Sequence, residues 1–185
     1  MKKLLTIFAV LALLGLTTAA MAQESDTTTH DVILQVNEMA VLDVHDDGAI
    51  TMTLVEPATG GAAIADVTNA TKWLNYTSVV PDGQTRDITA VVGAAAPAGT
   101  KLDIVVIAID GGTNAGTVGA GGNLVTGGVV AAAVTIVTGI GSCETGTGAD
   151  NGANVEFTFG VDDIDDVVSD DDQTVTVTYT LTEAS

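Results

Sequence analysis

The sequence predicts an all-β protein, a single antiparallel β-sandwich of about seven to ten strands with long glycine-rich loops. In residues 173–185, QTVTVTYTLTEAS, apolar side chains alternate with threonines almost to the chain end, a pattern typical of a strand with one face on a core. Short runs of Val, Ile and Thr recur between Gly, Asp, Asn and Pro along the rest of the chain. No window has the three-and-four apolar spacing of a helix, so helices of ordinary length are not expected.

Five strands are predicted in the first part of the chain. Alternation at Val32, Leu34 and Val36 gives the first strand, at residues 32–36, and leaves open its continuation through residues 39–44. The other four are predicted at residues 50–55, 73–79, 87–92 and 102–109. Turns and connections are predicted between these strands, at residues 45–48, 58–71, 81–83 and 96–100. In the third strand, Leu74, Tyr76 and Ser78 are expected to share one face.

The later part of the chain alternates glycine-rich loops with strands. Residues 110–128 contain eight glycines, which predicts a long surface loop. A short strand at residues 123–126 within this loop is an alternative. The nearly continuous apolar run from residue 129 predicts a strand at 129–138 that is buried on both faces or lies at a covered edge. A second loop at 142–154 leads to strands at 155–161 and 174–182.

Residues 1–22 have the organisation of a secretory signal peptide. Lys2 and Lys3 precede an apolar run at residues 4–16, and Ala20-Met21-Ala22 forms an A-x-A cleavage site. The alternative, a membrane anchor, is disfavoured because the run is shorter than the roughly 20 residues that a spanning helix needs. A secreted protein, extracellular or at the cell surface, is therefore expected, without membrane insertion after cleavage. Residues 23–30 are predicted to be a flexible segment, and residues 31–185 a single domain.

Charge excludes several partner classes. Removing Lys2 and Lys3 leaves only Lys72, Arg86 and Lys101 against 24 acids, so the formal charge moves from −19 to −21. Nucleic acids and anionic membranes are disfavoured, because binding them requires a basic surface. Such strong acidity instead favours solubility and divalent cations, with a solvated acidic surface as the simpler interpretation.

Catalytic chemistry has little support in the sequence, and no enzyme activity is predicted. His30 and His45 are the only histidines, and no serine lies in a G-x-S-x-G elbow. A pair of carboxylates for glycoside hydrolysis is not excluded, but the aromatic residues that line sugar clefts are few. The glycine-rich stretches lack the spacing, the lysine and the following helix of a phosphate-binding loop.

The acidic run at residues 162–172 is the strongest candidate metal site. Seven carboxylates within eleven residues repel one another unless solvent or a cation separates them, and calcium prefers such oxygen ligands. The run nevertheless lacks the glycine and the bidentate glutamate of a standard calcium loop. The candidate calcium ligands are Asp162, Asp163, Asp165, Asp166 and Asp170. Weaker candidates are Asp46 with Asp47 and Asp110 with Asn114.

Three further features are given minor weight. Cys143 is the only cysteine, so no internal disulfide is possible; it is interpreted as incidental, with pairing to a second chain as the alternative. Asn69-Ala70-Thr71 and Asn75-Tyr76-Thr77 fit the glycosylation pattern but are interpreted as coincidental.

Alternating strands, a signal peptide, richness in Thr, Gly and Val and the absence of helical patterns give residues 31–182 a resemblance to the secreted immunoglobulin-like sandwiches of bacterial pilus, fibre and surface-coat subunits. In pilus subunits of the chaperone-assembled kind, an N-terminal extension with alternating apolar residues fills a groove in a neighbour. Residues 27–36 correspond to that extension here. The chain departs from many such subunits in lacking a cysteine pair and a sortase signal.

The resemblance implies a noncatalytic structural subunit that forms a homo-oligomer or polymer, with strand donation as one route of assembly. The residues expected to carry assembly lie in the first and last predicted strands and are Val32, Leu34, Val36, Val175, Val177, Tyr179 and Leu181. Pairing of the first strand within its own sandwich remains the alternative for that segment. The alternative function is a monomeric secreted binding or adhesion module, with calcium as a stabilising ion.

Overall fold

The computed structural model of the protein describes residues 26–169 and 173–183. The chain divides into two units, Met1–Gln35 and Val36–Ser185. All regular structure in the described residues is β-strand, which confirms the predicted all-β class. No helix in the described part of the chain is long and apolar enough to span a membrane.

Eleven strands are present in these residues. They are β1 (Met39–His45), β2 (Val67–Val79), β3 (Arg86–Val92), β4 (Thr100–Asp110), β5 (Thr117–Val118), β6 (Gly122–Thr126), β7 (Val129–Val130), β8 (Val134–Ile140), β9 (Cys143–Glu144), β10 (Gly152–Val161) and β11 (Val177–Glu183).

The strands form two antiparallel sheets, an arrangement compatible with the predicted β-sandwich. The larger sheet has the order β1-β2-β10-β4-β6-β7, and β9 pairs with the end of β2 at Thr77 and Ser78. The smaller sheet has the order β11-β3-β8-β5. Most neighbours are distant in sequence: β1 pairs with β2 from Met39↔Val79 to His45↔Trp73, and β11 pairs with β3 from Val177↔Val92 to Glu183↔Arg86.

The core lies between the sheets and is built from alternate positions of their strands. In β3, Ile88, Ala90 and Val92 are buried and the residues between them are half-buried, as the two-residue side-chain period requires. The larger sheet contributes Leu74 and Ile104 to the same core. Leu74, Tyr76 and Ser78 are all buried, so the face predicted for the third strand is confirmed.

The predicted first strand at residues 32–36 is wrong, since β1 begins only at Met39. Val32, Leu34 and Val36 lie outside both sheets and are 68, 87 and 78% exposed. Residues 50–55 are likewise outside any strand, although Ile50 and Met52 pack against the core. Alternation of apolar and polar residues indicates that an extended chain buries one side. It does not show that a neighbouring strand is present to form the hydrogen bonds of a sheet.

The other predicted strands are present, but their first and last residues differ from the predictions. β2 begins at Val67, inside the predicted connection at 58–71, and β10 begins at Gly152, inside the predicted loop at 142–154. The short strands β5 and β9 also lie in predicted loops. β11 begins at Val177, so residues 173–176 precede the strand.

The apolar run from residue 129 is divided rather than forming one buried strand. Gly127 and Gly128, with φ of 57° and 83°, form the tight turn between β6 and β7. Val129 is 69% exposed on this hairpin, and β8 begins separately at Val134. The prediction of burial on both faces is therefore wrong for β7, because both of its residues, Val129 and Val130, are exposed.

Candidate functional site

On one side of the sandwich, the chain itself joins the two sheets. Between β5 and β6, the amides of Gly119 and Gly121 donate to the carbonyl oxygens of Ile136 and Thr135 at 2.8 and 3.2 Å. A Cβ on Gly121 would lie 2.6 Å from the carbonyl oxygen of Ile104, so this crossing requires glycine. The end strands here, β5 and β7, have only two residues each and offer little template for a further strand.

The opposite side of the sandwich has longer edge strands. Its edge strands, β1 and β11, have seven residues each, and a groove of about 520 Å³ lies between them. The apolar side chains along the groove belong to alternate positions of the two strands and are Ala40, Leu42, Val44, Val177, Tyr179 and Leu181. Ala40 is exposed and the other five are only half-buried. Apolar surface in a groove between two long edges is suited to receive an extended chain.

One end of the groove is bridged by an ion pair. Arg86, the first residue of β3, is buried on the core-facing side of its strand and donates a hydrogen bond to the carboxylate of Glu38. Glu38 is exposed and immediately precedes β1, so the pair connects a strand of the smaller sheet to the start of the larger sheet's edge strand. Among the described residues, the buried Nε of Arg86 has no hydrogen-bond partner, which makes Glu38 the principal compensation for this charge.

The other end of β1 is held by a second cation. The Nζ of Lys72, on the neighbouring strand β2, donates to the carbonyl oxygens of Asp46 and Gly48 in the turn that follows β1. The third cation, Lys101, pairs with Asp66 at 3.0 Å. Lys72, Arg86 and Lys101 therefore all make contacts within the protein, and the remaining surface of the described residues carries only acidic formal charges.

The exposed segment, residues 31–37, carries apolar side chains that no contact in the sheets covers. Val32, Leu34 and Val36 occupy alternate positions, and Ile33 between them is 92% exposed. Single exposed apolar residues are ordinary, but four within five positions are an unusual concentration of exposed apolar side chains. Such a surface is typical of segments that contact a partner.

The residues predicted to carry assembly are thus found in two places. Val177, Tyr179 and Leu181 line the groove, and burial raises the pKa of the Tyr179 hydroxyl well above its ordinary value. Val175 precedes β11 and is half-buried against the core. Val32, Leu34 and Val36 are outside the sheets. The other wall of the groove, formed by β1, was not predicted as part of a site. Its lining residues Ala40, Leu42 and Val44 continue the two-residue spacing of Val32, Leu34 and Val36.

The acidic run begins with a turn that the neighbouring backbone holds in place. The amides of Asp162 and Asp163 donate to the carbonyl oxygen of Gly99 at 2.8 and 3.0 Å, and a carboxylate oxygen of Asp163 accepts from the amide of Asp165 at 3.0 Å. Asp162, Asp163, Asp165 and Asp166 are exposed, whereas Asp170 lies outside the described residues. Within residues 26–169 and 173–183, no three His, Cys, Asp or Glu side chains come together as a set that could hold a metal ion. A calcium site here stays a prediction.

Two of the weaker metal candidates, Asp46 and Asn114, have structural roles in turns and loops. Asp46, with φ of 55°, shapes the turn after β1. The side-chain amide nitrogen of Asn114 donates to the carbonyl oxygen of Ser142 at 3.2 Å, a contact within the loops.

A second acidic cluster was not identified from the sequence. Burial raises the pKa of Asp103, Lys101 opposes that change, and the neighbouring Asp66 and Asp162 raise it further. One oxygen of Asp103 is buried and has no hydrogen-bond partner in the part of the chain that the structure describes. The hydrogen bond to Asp66 in turn raises the pKa of Lys101. These residues come from three distant parts of the chain, so only the pairing of β10 with β2 and β4 brings them together.

The remaining candidates from the sequence occupy structural positions. His45 ends β1 opposite Trp73, and His30 is exposed in the first unit. Cys143 lies half-buried in β9, where burial raises its thiol pKa. The side chain of Asn75 bonds to Gly148 and Asn151, which removes this glycosylation pattern from solvent. Asn69, in the other pattern, accepts two hydrogen bonds from Thr71.

No protein-family model, curated protein or solved structure matches the chain. The geometry of the groove, the exposed segment and the charged contacts are therefore the basis for a functional conclusion.

Proposed function

We propose that this protein is a noncatalytic structural subunit of an extracellular fibre, pilus or surface coat, and that its copies assemble by β-strand donation. The observation that carries the proposal is the groove between β1 and β11 in a chain that also has an exposed, alternating apolar segment at residues 31–37. In this proposal, the segment of one copy fills the groove of another.

The lengths of the two partners agree. The segment has three alternate apolar residues, Val32, Leu34 and Val36, and each wall of the groove also has three. Five residues of extended chain span roughly 17 Å, the length of β1 from Ala40 to Val44. The backbone of an added strand would also satisfy hydrogen-bonding groups on the free edge of β1 or of β11.

The apolar contribution to association is substantial. Complete burial of one Val or Leu side chain stabilises by about 1.5–3 kcal/mol, so three contribute roughly 4–9 kcal/mol before the entropy lost on association is subtracted. The backbone hydrogen bonds of the new ladders add to this. The segment therefore provides enough interaction free energy for a stable contact between copies.

Location outside the cell follows from the predicted signal peptide at residues 1–22. An excess of acidic charge keeps such a subunit soluble before it assembles. The far side of the sandwich, with its crossing chain and two-residue edge strands, offers no comparable edge for strand addition among the described residues. Assembly through the side that carries β1 and β11 is the arrangement that these features favour.

Deletion of residues 31–37 tests this proposal directly. Polymers of the mature chain, seen by negative-stain electron microscopy and collected by ultracentrifugation, are expected to disappear in this variant. Deletion of residues 24–30 is the matched control, because it removes seven residues from the same terminus and spares the apolar positions. Equal polymer yield from both deletions, or a strictly monomeric parent chain at high concentration, would exclude strand donation.

A monomeric binding or adhesion module stabilised by calcium is the second candidate. The observation that favours it is the turn at residues 162–167, whose backbone amides at Asp162 and Asp163 donate to the carbonyl oxygen of Gly99 and whose carboxylates are exposed. Millimolar calcium is expected to raise the melting temperature of such a module by several degrees. The Asp165→Ala/Asp166→Ala variant should lose that increase, whereas magnesium at equal concentration controls for ionic strength.

A further inference from the structure

The connection between β1 and β2, residues 46–66, is the longest between consecutive strands in the described part of the chain. Loops of more than about 12–15 residues without regular structure are uncommon in compact domains, and those that occur are usually functional or disordered. Its central residues, 58–63, form the ATGGAA loop and are all exposed. Within the described chain, the only backbone–backbone hydrogen bond of this loop joins the amide of Ala62 to the carbonyl oxygen of Thr59 at 3.1 Å.

The chain on both sides of the ATGGAA loop is fixed. Before the loop, the Nζ of Lys72 donates to the carbonyl oxygen of Gly48, and Met52 packs against the core. After the loop, Asp66 pairs with Lys101 at 3.0 Å, immediately before β2 begins. The loop therefore lies between two firm attachments and takes part in neither.

Other glycine-rich loops of the protein are attached more firmly. The Tyr76 hydroxyl donates to the carbonyl oxygen of Ala115 at 2.6 Å in the loop between β4 and β5. The side chain of Asn75 both donates to and accepts from Gly148 in the loop before β10. In the ATGGAA loop, a Cβ on either glycine would have no neighbour within 4 Å among the described residues beyond its chain neighbours. Small residues in an exposed loop of this kind are preferred sites of proteolytic cleavage.

We propose that the ATGGAA loop is a processing site for an endoprotease with a small specificity pocket, of the elastase type, and that the cut protein persists as two chains in one fold. The loop's alanines fit such a pocket. Hydrolysis consumes one water molecule: the peptide C–N bond breaks, the carbonyl carbon becomes part of a carboxylate, and the nitrogen becomes an ammonium group. Cleavage does not depend on assembly of the copies, so this property goes beyond the proposed function.

The fragment that precedes the cut keeps its attachments. β1 remains paired with β2 along all seven of its residues. Leu42 and Val44 pack against the core, and Glu38 contacts Arg86. Each of these contacts joins chain before the ATGGAA loop to chain after it, so hydrolysis removes none of them. In the proposed assembly, residues 31–37 of a cut copy would be joined to their own sandwich only through such noncovalent contacts.

Limited digestion of the mature chain with elastase tests the site. Apart from trimming ahead of β1, the first cut is expected within residues 58–63, at least tenfold faster than any cut within residues 111–116 or 146–151, as mapped by mass spectrometry. The two fragments should elute together in native size-exclusion chromatography, with an unchanged circular dichroism spectrum, and separate in denaturant. A first cut in another loop, or loss of the strand signal on cleavage, would overturn the proposal.

Replacing the loop's alanines with aspartate should slow this cut at least tenfold, because a charged carboxylate does not suit a small apolar pocket. The variant is Ala58→Asp/Ala62→Asp/Ala63→Asp. Its control, with the same added charge at exposed alanines outside the loop, is Ala94→Asp/Ala95→Asp/Ala133→Asp. Equal slowing in both variants would assign the effect to net charge and count against the site.

Protein recovered from the producing cells shows whether the site is used. It should carry a second N-terminus between residues 59 and 64, together with the matching N-terminal fragment. Recovery of the intact mature chain alone would overturn the processing role. Polymers formed by that intact chain would leave strand donation standing, so the two proposals fail separately.

Discussion

The guanidinium of Arg86 donates a hydrogen bond to the carboxylate of Glu38, and the pair joins the start of β3 to the residue before β1. The two side chains differ in exposure, at 9% for Arg86 and 41% for Glu38. The stability of this side of the sandwich therefore depends on a carboxylate that remains partly accessible to solvent while its partner does not.

Removing the carboxylate should destabilise the protein. Glu38→Ala leaves the buried guanidinium without its acceptor, and we expect the free energy of unfolding to fall by about 1–3 kcal/mol in urea titrations. Glu56→Ala removes the same charge from an exposed loop position and serves as the control. Equal stability of the two variants would show that the ion pair contributes nothing to the fold.

The core between the sheets should respond to loss of volume. Ile88, on β3, is fully buried, so Ile88→Ala is expected to cost about 2–5 kcal/mol through lost apolar burial and the cavity that remains. Val129→Ala, at a 69% exposed position on β7, should change stability by less than about 0.5 kcal/mol. Calorimetry or urea unfolding of both variants provides the comparison, and a similar cost at both positions would contradict the assigned core.

Two glycines with nearly the same backbone conformation should tolerate alanine very differently. Gly152 and Gly139 have φ of 78° and 72°. A Cβ on Gly152 would meet the carbonyl oxygen of Leu74 within bonding distance, whereas one on Gly139 has no neighbour within 4 Å. Gly139→Ala should cost only the conformational strain, about 1–2 kcal/mol. We expect Gly152→Ala to cost clearly more or to prevent folding, as judged by circular dichroism and soluble yield.

The raised pKa of Asp103 gives a pH dependence of defined sign. Because the folded state holds this proton more tightly than the unfolded chain does, Asp103 favours folding in acid and loses that contribution as the pH rises through its folded pKa. Asp103→Asn should therefore melt at a higher temperature than the parent near neutral pH, and the difference should shrink towards pH 3. Asp82→Asn, in an exposed turn, changes the net charge equally. An identical profile for both variants would assign the effect to net charge.

Ionic strength should control association of the copies. The mature chain carries eight acids for each base, and its three basic side chains make internal contacts. Screening shortens the range of repulsion from about 30 Å at 0.01 M salt to about 3 Å at 1 M. Sedimentable polymer is therefore expected to increase over this range, and polymer that dissolves in high salt would indicate assembly through ion pairs between copies.

The apolar–polar alternation within single segments was enough to predict the all-β class and the buried face of several strands, because this two-residue period is a property of one strand alone. Leu74, Tyr76 and Ser78 share a buried face as expected. Pattern could not predict which alternating segments have a neighbour: residues 32–36 and 50–55 alternate as clearly as β11, yet neither belongs to a sheet. The neighbour of a strand depends on chain that is distant in sequence, as in the pairing of β10 with β2 and β4.

The same limit applies to the candidate site. Val177, Tyr179 and Leu181 were predicted from their alternation, and they line the groove. The opposing wall and the bridge between Glu38 and Arg86 depend on how the sheets face each other, which no spacing in the sequence encodes. A charge run such as residues 162–172 is visible in the sequence, whereas the cluster around Asp103 forms only when the sheet assembles.

The crossing of the chain at Gly119 and Gly121 has a consequence for the valence of the subunit. In the proposed assembly, joining the sheets on one side leaves the described part of each molecule with one long groove and one exposed segment to fill the groove of another copy. A particle with one donor and one acceptor adds copies only in line, so branching and lateral sheet growth are suppressed. In this proposal, Gly119 and Gly121, which do not line the groove, would favour a linear polymer over a branched aggregate.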